Sequence, residues 1–167
     1  QIDFKSIQIE GIEKISLLDI ENAKSLGYRI KLIGMSQLTE HGIYQEVQPC
    51  LVPDSSAMSK LEGGTNMIII DSDFTGRTYL SGPGAGQGPT ASAIVSDLID
   101  VVSGKISPVF GIAAKALIKV KKGVRGIDRC YYLRLSLVDK PGALAKVAAV
   151  LGNNQISIDR MRQKAHD

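Results

Sequence analysis

A glycine-rich loop between a strand-like run and an amphipathic helix most constrains how this chain can fold. Residues 82–88 have the sequence GPGAGQG. Glycine lets a backbone approach a ligand closely, and the N-terminus of a helix presents free N–H groups with a partial positive charge. The spacing matches neither the dinucleotide fingerprint G-x-G-x-x-G nor a phosphate-binding loop. The residues alone leave two interpretations open, a ligand contact and a tight strand-to-helix turn.

The segments before this loop have the period of β-strands. Alternating apolar and polar residues over 28–33 and 43–52 flank a turn-like sequence, and together they predict an antiparallel hairpin. A looser alternation over residues 7–15 predicts a further strand. The apolar run from Asn66 to Ile70 is typical of a strand that is covered on both faces. A short strand follows at residues 77–80.

Two helices are predicted in the same part of the chain. Asp19 is expected to cap a helix over residues 20–26, and Gly27 occupies the position where a left-handed residue ends a helix. A second helix is expected over residues 90–103, because its apolar residues recur at the helical period. That apolar face consists of Ile94, Val95, Leu98, Ile99 and Val102.

The remainder of the chain predicts a linker and one β-α-β unit. Residues 105–128 fit neither period and are interpreted as a linker. Alternation over residues 133–137 predicts a strand, and the sequence DKPG leads into a helix from Ala143 to Leu151. Ile156 and Ile158 are expected to begin a second strand. Because the chain starts at Gln1 and stops soon after this strand, we expect it to be part of a longer protein.

The charge is unevenly distributed along the chain. Residues 1–103 carry seven Lys and Arg against 13 Asp and Glu, whereas residues 104–167 carry 13 against four, so the net charges are −6 and +9. A basic cluster comprises Lys115, Lys119, Lys121, Lys122, Arg125 and Arg129. Such a cluster could bind nucleic acid, but no aromatic residues alternate with these lysines. A solvated face, facing an acidic neighbour, is the interpretation we favour.

Composition excludes several other classes of protein. No apolar run approaches the roughly 18 residues needed to span a bilayer, which argues against an integral membrane protein. Two cysteines are too few for a disulfide scaffold and suit a reducing cytosol. Cys50 is interpreted as a small buried residue and Cys130 as a thiol without a neighbouring base. His41 and His166 are far apart in sequence, so no metal site is predicted.

Several motifs, in order and spacing, resemble the later part of the catalytic domain of homoserine dehydrogenase. They are Glu10-Gly11-Ile12, residues 26–33 (LGYRIKLI), residues 49–53 (PCLVP), Gly63-Gly64-Thr65-Asn66, residues 82–86 (GPGAG), residues 89–93 (PTASA) and Ser96-Asp97-Leu98. Residues 131–161, with DKPGAL at 139–144, are similar to the first half of an ACT regulatory module. The resemblance implies a homoserine dehydrogenase-like substrate and dimerisation segment over 1–104, a linker over 105–128 and an incomplete ACT-like module over 129–167.

The resemblance implies an α+β fold. It has a mixed or antiparallel sheet with helices on one face, followed by a partial ferredoxin-like β-α-β unit. The implied activity is NAD(P)-dependent interconversion of L-homoserine and L-aspartate 4-semialdehyde, in threonine, methionine and isoleucine biosynthesis in the cytoplasm. The family's catalytic lysine lies in an Asp-x-x-Gly-x-Asp-x-x-x-Lys segment, and that spacing is absent from these residues. No catalytic residue is therefore assigned, and the isolated chain is expected to be inactive.

The resemblance also assigns two binding loops. NADP or NAD would be bound mainly by a preceding dinucleotide-binding domain, with a contact at Gly84, Ala85 and Gly86. An amino-acid effector such as threonine would be bound in a homodimer or higher homo-oligomer, with Asn154 and Ile156 opposite the loop. The effector loop consists of Asp139, Pro141, Gly142, Ala143 and Leu144. The alternatives are a capped helix without a ligand at this loop and, for the whole chain, a non-catalytic amino-acid-sensing module.

Thermal unfolding with three separate ligands distinguishes these interpretations. Only a ligand that binds the folded state raises the midpoint temperature. We expect NADP to raise it if the chain is part of a dehydrogenase. A shift with threonine alone would favour the sensing module, and a salt-dependent shift with duplex DNA alone would favour nucleic-acid binding.

Overall fold

The computed structural model describes residues 4–105, 108, 110–125 and 129–163. The strands are β1 (Gln8–Ile9), β2 (Tyr28–Thr39), β3 (Gly42–Pro53), β4 (Thr65–Ser72) and β5 (Gly76–Pro83). The helices are α1 (Leu17–Ser25), α2 (Gln87–Val102) and α3 (Ala143–Asn153), with 3-10 turns at Phe4–Ser6, Ala57–Lys60 and Ala114–Ala116. This combination of helices and open sheets confirms the predicted α+β class.

The first sheet has the strand order β1-β3-β2. The predicted hairpin is confirmed, because β2 and β3 pair antiparallel from Tyr28 opposite Pro53 to Thr39 opposite Gly42. The strand expected over residues 7–15 is limited to β1, which pairs parallel with β3 and places Gln8 opposite Glu46. Among the described residues, the buried hydrophobic side chains lie on β3 and on helix α1: they are Ala23, Tyr44 and Val52.

Helix α1 packs on β2 and is capped by Ser16, not by Asp19 as predicted. Ser16 Oγ accepts a hydrogen bond from the Asp19 backbone N–H at 3.3 Å, and the Asp19 carboxylate accepts one from the Ser16 backbone N–H at 2.9 Å. Asp19 is therefore the third helical residue of a reciprocal capping box, a position where its charge also favours the helix dipole. Gly27 has a φ of +82°, which confirms the predicted left-handed helix end.

The β4–β5 hairpin forms a separate two-stranded sheet. Its register places Asp71 opposite Arg77, and two hydrogen bonds of 2.6 and 2.9 Å join their side chains. The expectation that Asn66 to Ile70 would be covered on both faces is wrong for this chain, because Ile68 is 60% exposed. A continuous apolar run marks a strand that needs cover, but none of the other described elements covers both faces of β4.

Helix α2 begins three residues earlier than expected, at Gln87. Pro89 is tolerated because an N–H in the first turn of a helix has no intrahelical partner. The predicted apolar face is present but is not buried: Ile94 is 55% exposed and Leu98 is 59% exposed. None of the described helices has the length and apolar character needed to cross a lipid bilayer.

The C-terminal segment contains the predicted helix, but its two flanking strands are not formed. Helix α3 runs from Ala143 to Asn153, close to the expected range. Residues 131–138 and 156–158 have no ladder partner among the described residues, and a strand requires hydrogen bonds to a neighbouring strand. Alternation predicts which side chains share a face, but it does not supply the partner.

Part of the predicted linker contacts the first sheet. The Ile43 backbone N–H donates to Lys121 O at 2.9 Å, and the Gly123 N–H donates to Ile43 O at 2.9 Å. Residues 121–123 therefore lie beside the tip of the β2–β3 hairpin. Six positions of the predicted linker, 106, 107, 109 and 126–128, lie outside the described residues, as do positions 164–167 of the predicted module and its His166.

We predict that Ser16→Ala destabilises the first unit by about 1 kcal/mol, because the capping hydrogen bond to the start of α1 is lost. Chemical denaturation followed by circular dichroism measures this change. Ser55→Ala, at an exposed turn residue, is the matched control and should leave the free energy of unfolding unchanged. Equal effects of the two substitutions would contradict the assignment of the cap.

Candidate functional site

The glycine loop lies between the end of β5 and the start of α2, and it is held against the start of β4. The Gly84 N–H donates to Gly64 O at 2.7 Å. A Cβ atom at Gly84 would meet the side-chain amide of Asn66, which is exposed and would have to move aside. The Gly84 amide is therefore already used within the fold. Asn66 is a residue whose role in shaping the loop was not predicted, although its place in the sequence GGTN belongs to the resemblance.

The second half of the loop is open. Ala85 and Gly86 are exposed, and Gly86 has a φ of +127°, a conformation that side chains disfavour. Gly86 is the N-cap of α2, and no side chain caps this helix end. Unpaired N–H groups at a helix N-terminus attract anionic or polar groups. The arrangement can therefore accept such a group at residues 85–88, and the assignment of Ala85 and Gly86 as cofactor-binding residues stays a prediction.

The predicted effector loop has the same design. Gly142 is the N-cap of α3, with a φ of +85° and no side-chain cap. The structure brings Asp139, Pro141, Gly142, Ala143 and Leu144 together in one turn, where the Ala143 N–H donates to Lys140 O at 3.2 Å. Asn154 and Ile156 follow the opposite end of α3, about 16 Å away for an 11-residue helix. Those two residues are not brought to the loop within this chain.

A buried carboxylate on β3 was not predicted. Glu46 is only 2% exposed, and Arg125 Nη2 and Arg129 Nη1 each lie 2.5 Å from one of its two carboxylate oxygens. The Tyr44 hydroxyl donates to Glu46 Oε2 at 2.6 Å, and the Arg125 guanidinium lies 5.5 Å from the centroid of the Tyr44 ring. This group of four residues is called the Glu46 cluster below.

The electrostatics of the Glu46 cluster favour a charged carboxylate. Burial raises the pKa of Glu46, but the hydrogen bonds from Tyr44 and Arg125 and the ion pair with Arg129 outweigh it, so the pKa lies below its ordinary value. Burial, followed by the hydrogen bond to Glu46, raises the pKa of the Tyr44 hydroxyl and keeps it a donor. The interpretation of the basic cluster as a solvated face is thus wrong for Arg125 and Arg129, whereas its four lysines are exposed.

A second buried carboxylate lies on α1. Asp19 is 5% exposed, and Arg134 Nε lies 2.7 Å from its Oδ1. The Tyr132 hydroxyl donates to the same oxygen at 3.2 Å. Hydrogen bonds from Ser16 are the main cause that lowers the pKa of Asp19, and Tyr132 and Arg134 add to it against the opposing effect of burial. The one sequence signal that could have suggested these pairs is the uneven charge distribution, with net negative charge before residue 104 and net positive charge after it.

The two cysteines and the aspartates of the β4–β5 hairpin are not part of these two groups. Cys50 is half-buried rather than fully buried as predicted; partial burial raises the pKa of its thiol, and its sulfur donates to Gln48 O at 3.6 Å. Cys130 is exposed. Asp71 is paired with Arg77, and Asp73 lies in the turn after β4. No group of His, Cys, Asp or Glu with the arrangement of a metal site exists in the part of the chain that the structure describes.

Comparison with known proteins decides the family. A model of the homoserine dehydrogenase family matches residues 1–99, more than half of the chain, and a model of the ACT domain matches residues 131–167. The chain belongs to the homoserine dehydrogenase family. It is 35% identical over 170 residues to homoserine dehydrogenase from Neisseria gonorrhoeae and 36% identical over 172 residues to that from Pseudomonas aeruginosa.

The chain spans about two fifths of the length of the relatives that it matches. Both alignments cover 98% of this chain but only 39% of the relative. The crystal structure of a homoserine dehydrogenase from Thiobacillus denitrificans matches with a TM-score of 0.74 and 31% identity, over 97% of this chain and 39% of that chain. A Staphylococcus aureus homoserine dehydrogenase matches with a TM-score of 0.57 and 34% identity, over 64% of this chain and 27% of that chain.

We predict that Glu46→Gln lowers the free energy of unfolding at pH 7 by about 2 kcal/mol, because it leaves two guanidinium groups without a counter-charge. Because the pKa of Glu46 is lowered in the folded chain, its carboxylate stabilises the fold at every pH above the ordinary pKa of a glutamate. This stabilisation is lost as the pH falls from the ordinary pKa through the lowered pKa. Denaturation between pH 3 and pH 7 should therefore show a weaker acid dependence in the variant.

The matched control is Asp71→Asn, which breaks an exposed pair of the same chemistry. Its stability at pH 7 should be nearly that of the unsubstituted chain. If Glu46→Gln has the same small effect as Asp71→Asn, the buried carboxylate does not carry the stability assigned to it.

Proposed function

We propose that this chain is the substrate, dimerisation and regulatory part of a homoserine dehydrogenase. The activity would be the NAD(P)-dependent interconversion of L-homoserine and L-aspartate 4-semialdehyde, in threonine, methionine and isoleucine biosynthesis. The supporting observation is that a homoserine dehydrogenase region and an ACT region follow each other in this chain, and that a homoserine dehydrogenase matches 98% of its length. Residues 1–104 would form the first part, 105–128 a linker and 129–167 the regulatory module.

The proposed role of the glycine loop is to hold a polar or anionic part of NADP or NAD. When bound, the nicotinamide supplies or accepts the hydride. The first turn of α2 lacks a side-chain cap, so its amides can donate to that cofactor beside Ala85 and Gly86. Gly84 would allow a close approach of the backbone to the cofactor but would not donate a hydrogen bond to it, because its amide already bonds Gly64 O. The catalytic acid or base would come from the part of the enzyme outside these residues.

The proposed role of the loop before α3 is to bind an amino-acid effector such as threonine. The exposed carboxylate of Asp139 suits the ammonium group, and the uncapped N-terminus of α3 suits the carboxylate. Gly142 leaves room for both, because no atom lies within 4 Å of where its Cβ would be.

The proposed assembly is a homodimer or higher homo-oligomer in the cytoplasm. The exposed apolar face of α2 and the exposed β4–β5 hairpin support an assembly, because apolar surfaces of this kind are usually covered by another part of the protein.

A chimera tests the proposed activity. We expect the 167-residue chain alone to show no homoserine-dependent reduction of NAD or NADP. A chimera in which this chain replaces the matching segment of the Neisseria gonorrhoeae enzyme should catalyse that reduction. A chimera that assembles like the parent enzyme but reduces neither cofactor would contradict the proposal.

The same chimera tests the glycine loop. Ala85→Asp should raise the KM for NADP about tenfold, because a negative charge at the start of α2 repels an anionic cofactor. Ala85→Asn has nearly the same size without the charge and should change the KM less than twofold. Equal KM values for the two variants would leave the loop with a structural role only.

A further inference from the structure

Arginines from the second half of the chain reach back to the first sheet and α1. Arg125 and Arg129 contact Glu46, and Arg134 contacts Asp19. Arg160 Nη1 donates to Leu26 O at the end of α1, at 2.6 Å, and its guanidinium lies 5.6 Å from the centroid of the Tyr28 ring. All four arginines therefore contact the same unit, which consists of β1–β3 and α1.

The charges and burial of these contacts are complementary. Glu46 and Asp19 are nearly inaccessible, and a buried carboxylate without a cationic partner is strongly unfavourable. Both obtain their arginines from residues after 124, where the net charge of the chain is positive. The two carboxylates can therefore be charged and buried only while the later segment lies against them.

The contact is ionic rather than apolar. The large apolar side chains of the same segment are exposed: Leu133 is 62% exposed and Leu135 is 48% exposed. The alternating residues Tyr132 and Arg134 are the ones that contact α1. Little hydrophobic burial therefore holds this segment, and its attachment depends on a few charged groups.

We propose that Glu46 and Asp19 form a two-point ionic latch that holds residues 121–125 and 129–160 on the unit of β1–β3 and α1. The Glu46 point binds the approach to the ACT segment through Arg125 and Arg129. The Asp19 point binds the ACT segment itself through Arg134 and Tyr132. Loss of either carboxylate's charge releases the residues bound at that point. The latch goes beyond the proposed function and does not depend on cofactor or effector binding.

Limited trypsin digestion tests the latch, because the enzyme cleaves after the same arginines that form it. In the unsubstituted 167-residue chain, the exposed Lys115 and Lys119 should be cleaved faster than Arg125, Arg129 and Arg134. Glu46→Gln should raise the cleavage rates after Arg125 and Arg129 about tenfold, and Asp19→Asn should do the same after Arg134. Mass spectrometry of the early products identifies each site.

Two further variants keep the test decisive. Asp71→Asn breaks a pair within the β4–β5 hairpin and should leave cleavage after Arg125, Arg129 and Arg134 unchanged. Arg134→Gln breaks the Asp19 point from the other side and keeps the Ser16–Asp19 cap of α1, so it should raise cleavage after Arg160 even if Asp19→Asn unfolds the helix. Latch arginines cleaved as fast as Lys119 in the unsubstituted chain would overturn the proposal. Unchanged cleavage in folded Glu46→Gln and Arg134→Gln variants would also overturn it.

Discussion

The buried carboxylate of Glu46 is the constraint on which the arrangement of this chain depends. A charged group in the middle of β3 needs cationic partners, and the described structure supplies them from Arg125 and Arg129, about 80 positions later in the sequence. The Tyr44 hydroxyl completes the group and is itself buried by it. Asp19 has the same requirement on α1, with Arg134 as the partner.

The three helices begin in two different ways, and the difference bears on function. Helix α1 is capped by the reciprocal hydrogen bonds of Ser16 and Asp19, which satisfy the backbone amides of these two residues. Helices α2 and α3 begin at glycines with positive φ and have no side-chain cap. An uncapped helix start is unfavourable in isolation, so a group from outside the helix gains most there. Both proposed binding loops lie at such starts.

The exposed apolar surface of this chain is what is expected of a chain that matches only part of the length of its homoserine dehydrogenase relatives. The chain spans 39% of the length of the relatives it matches, and its β4–β5 hairpin and α2 expose large apolar side chains. The first sheet differs, because its small core of Ala23, Tyr44 and Val52 is completed by charged groups of the same chain. The unit of β1–β3 and α1 also exposes large apolar side chains, such as Leu17 and Leu38, so only this small core is completed within these residues.

The sequence by itself determined the elements whose formation depends on neighbouring residues. The β2–β3 hairpin, helix α2, helix α3 and the left-handed Gly27 follow from alternation, helical period and the conformational freedom of glycine. Only the tertiary structure decided that Ser16 caps α1, that the Gly84 amide bonds Gly64 O, and that residues 133–137 have no strand partner among the described residues. It also decided which arginines meet Glu46 and Asp19. Local periodicity predicts which side chains of a segment share a face. Which opposite charges far apart in sequence form a pair depends instead on the tertiary structure that brings them together.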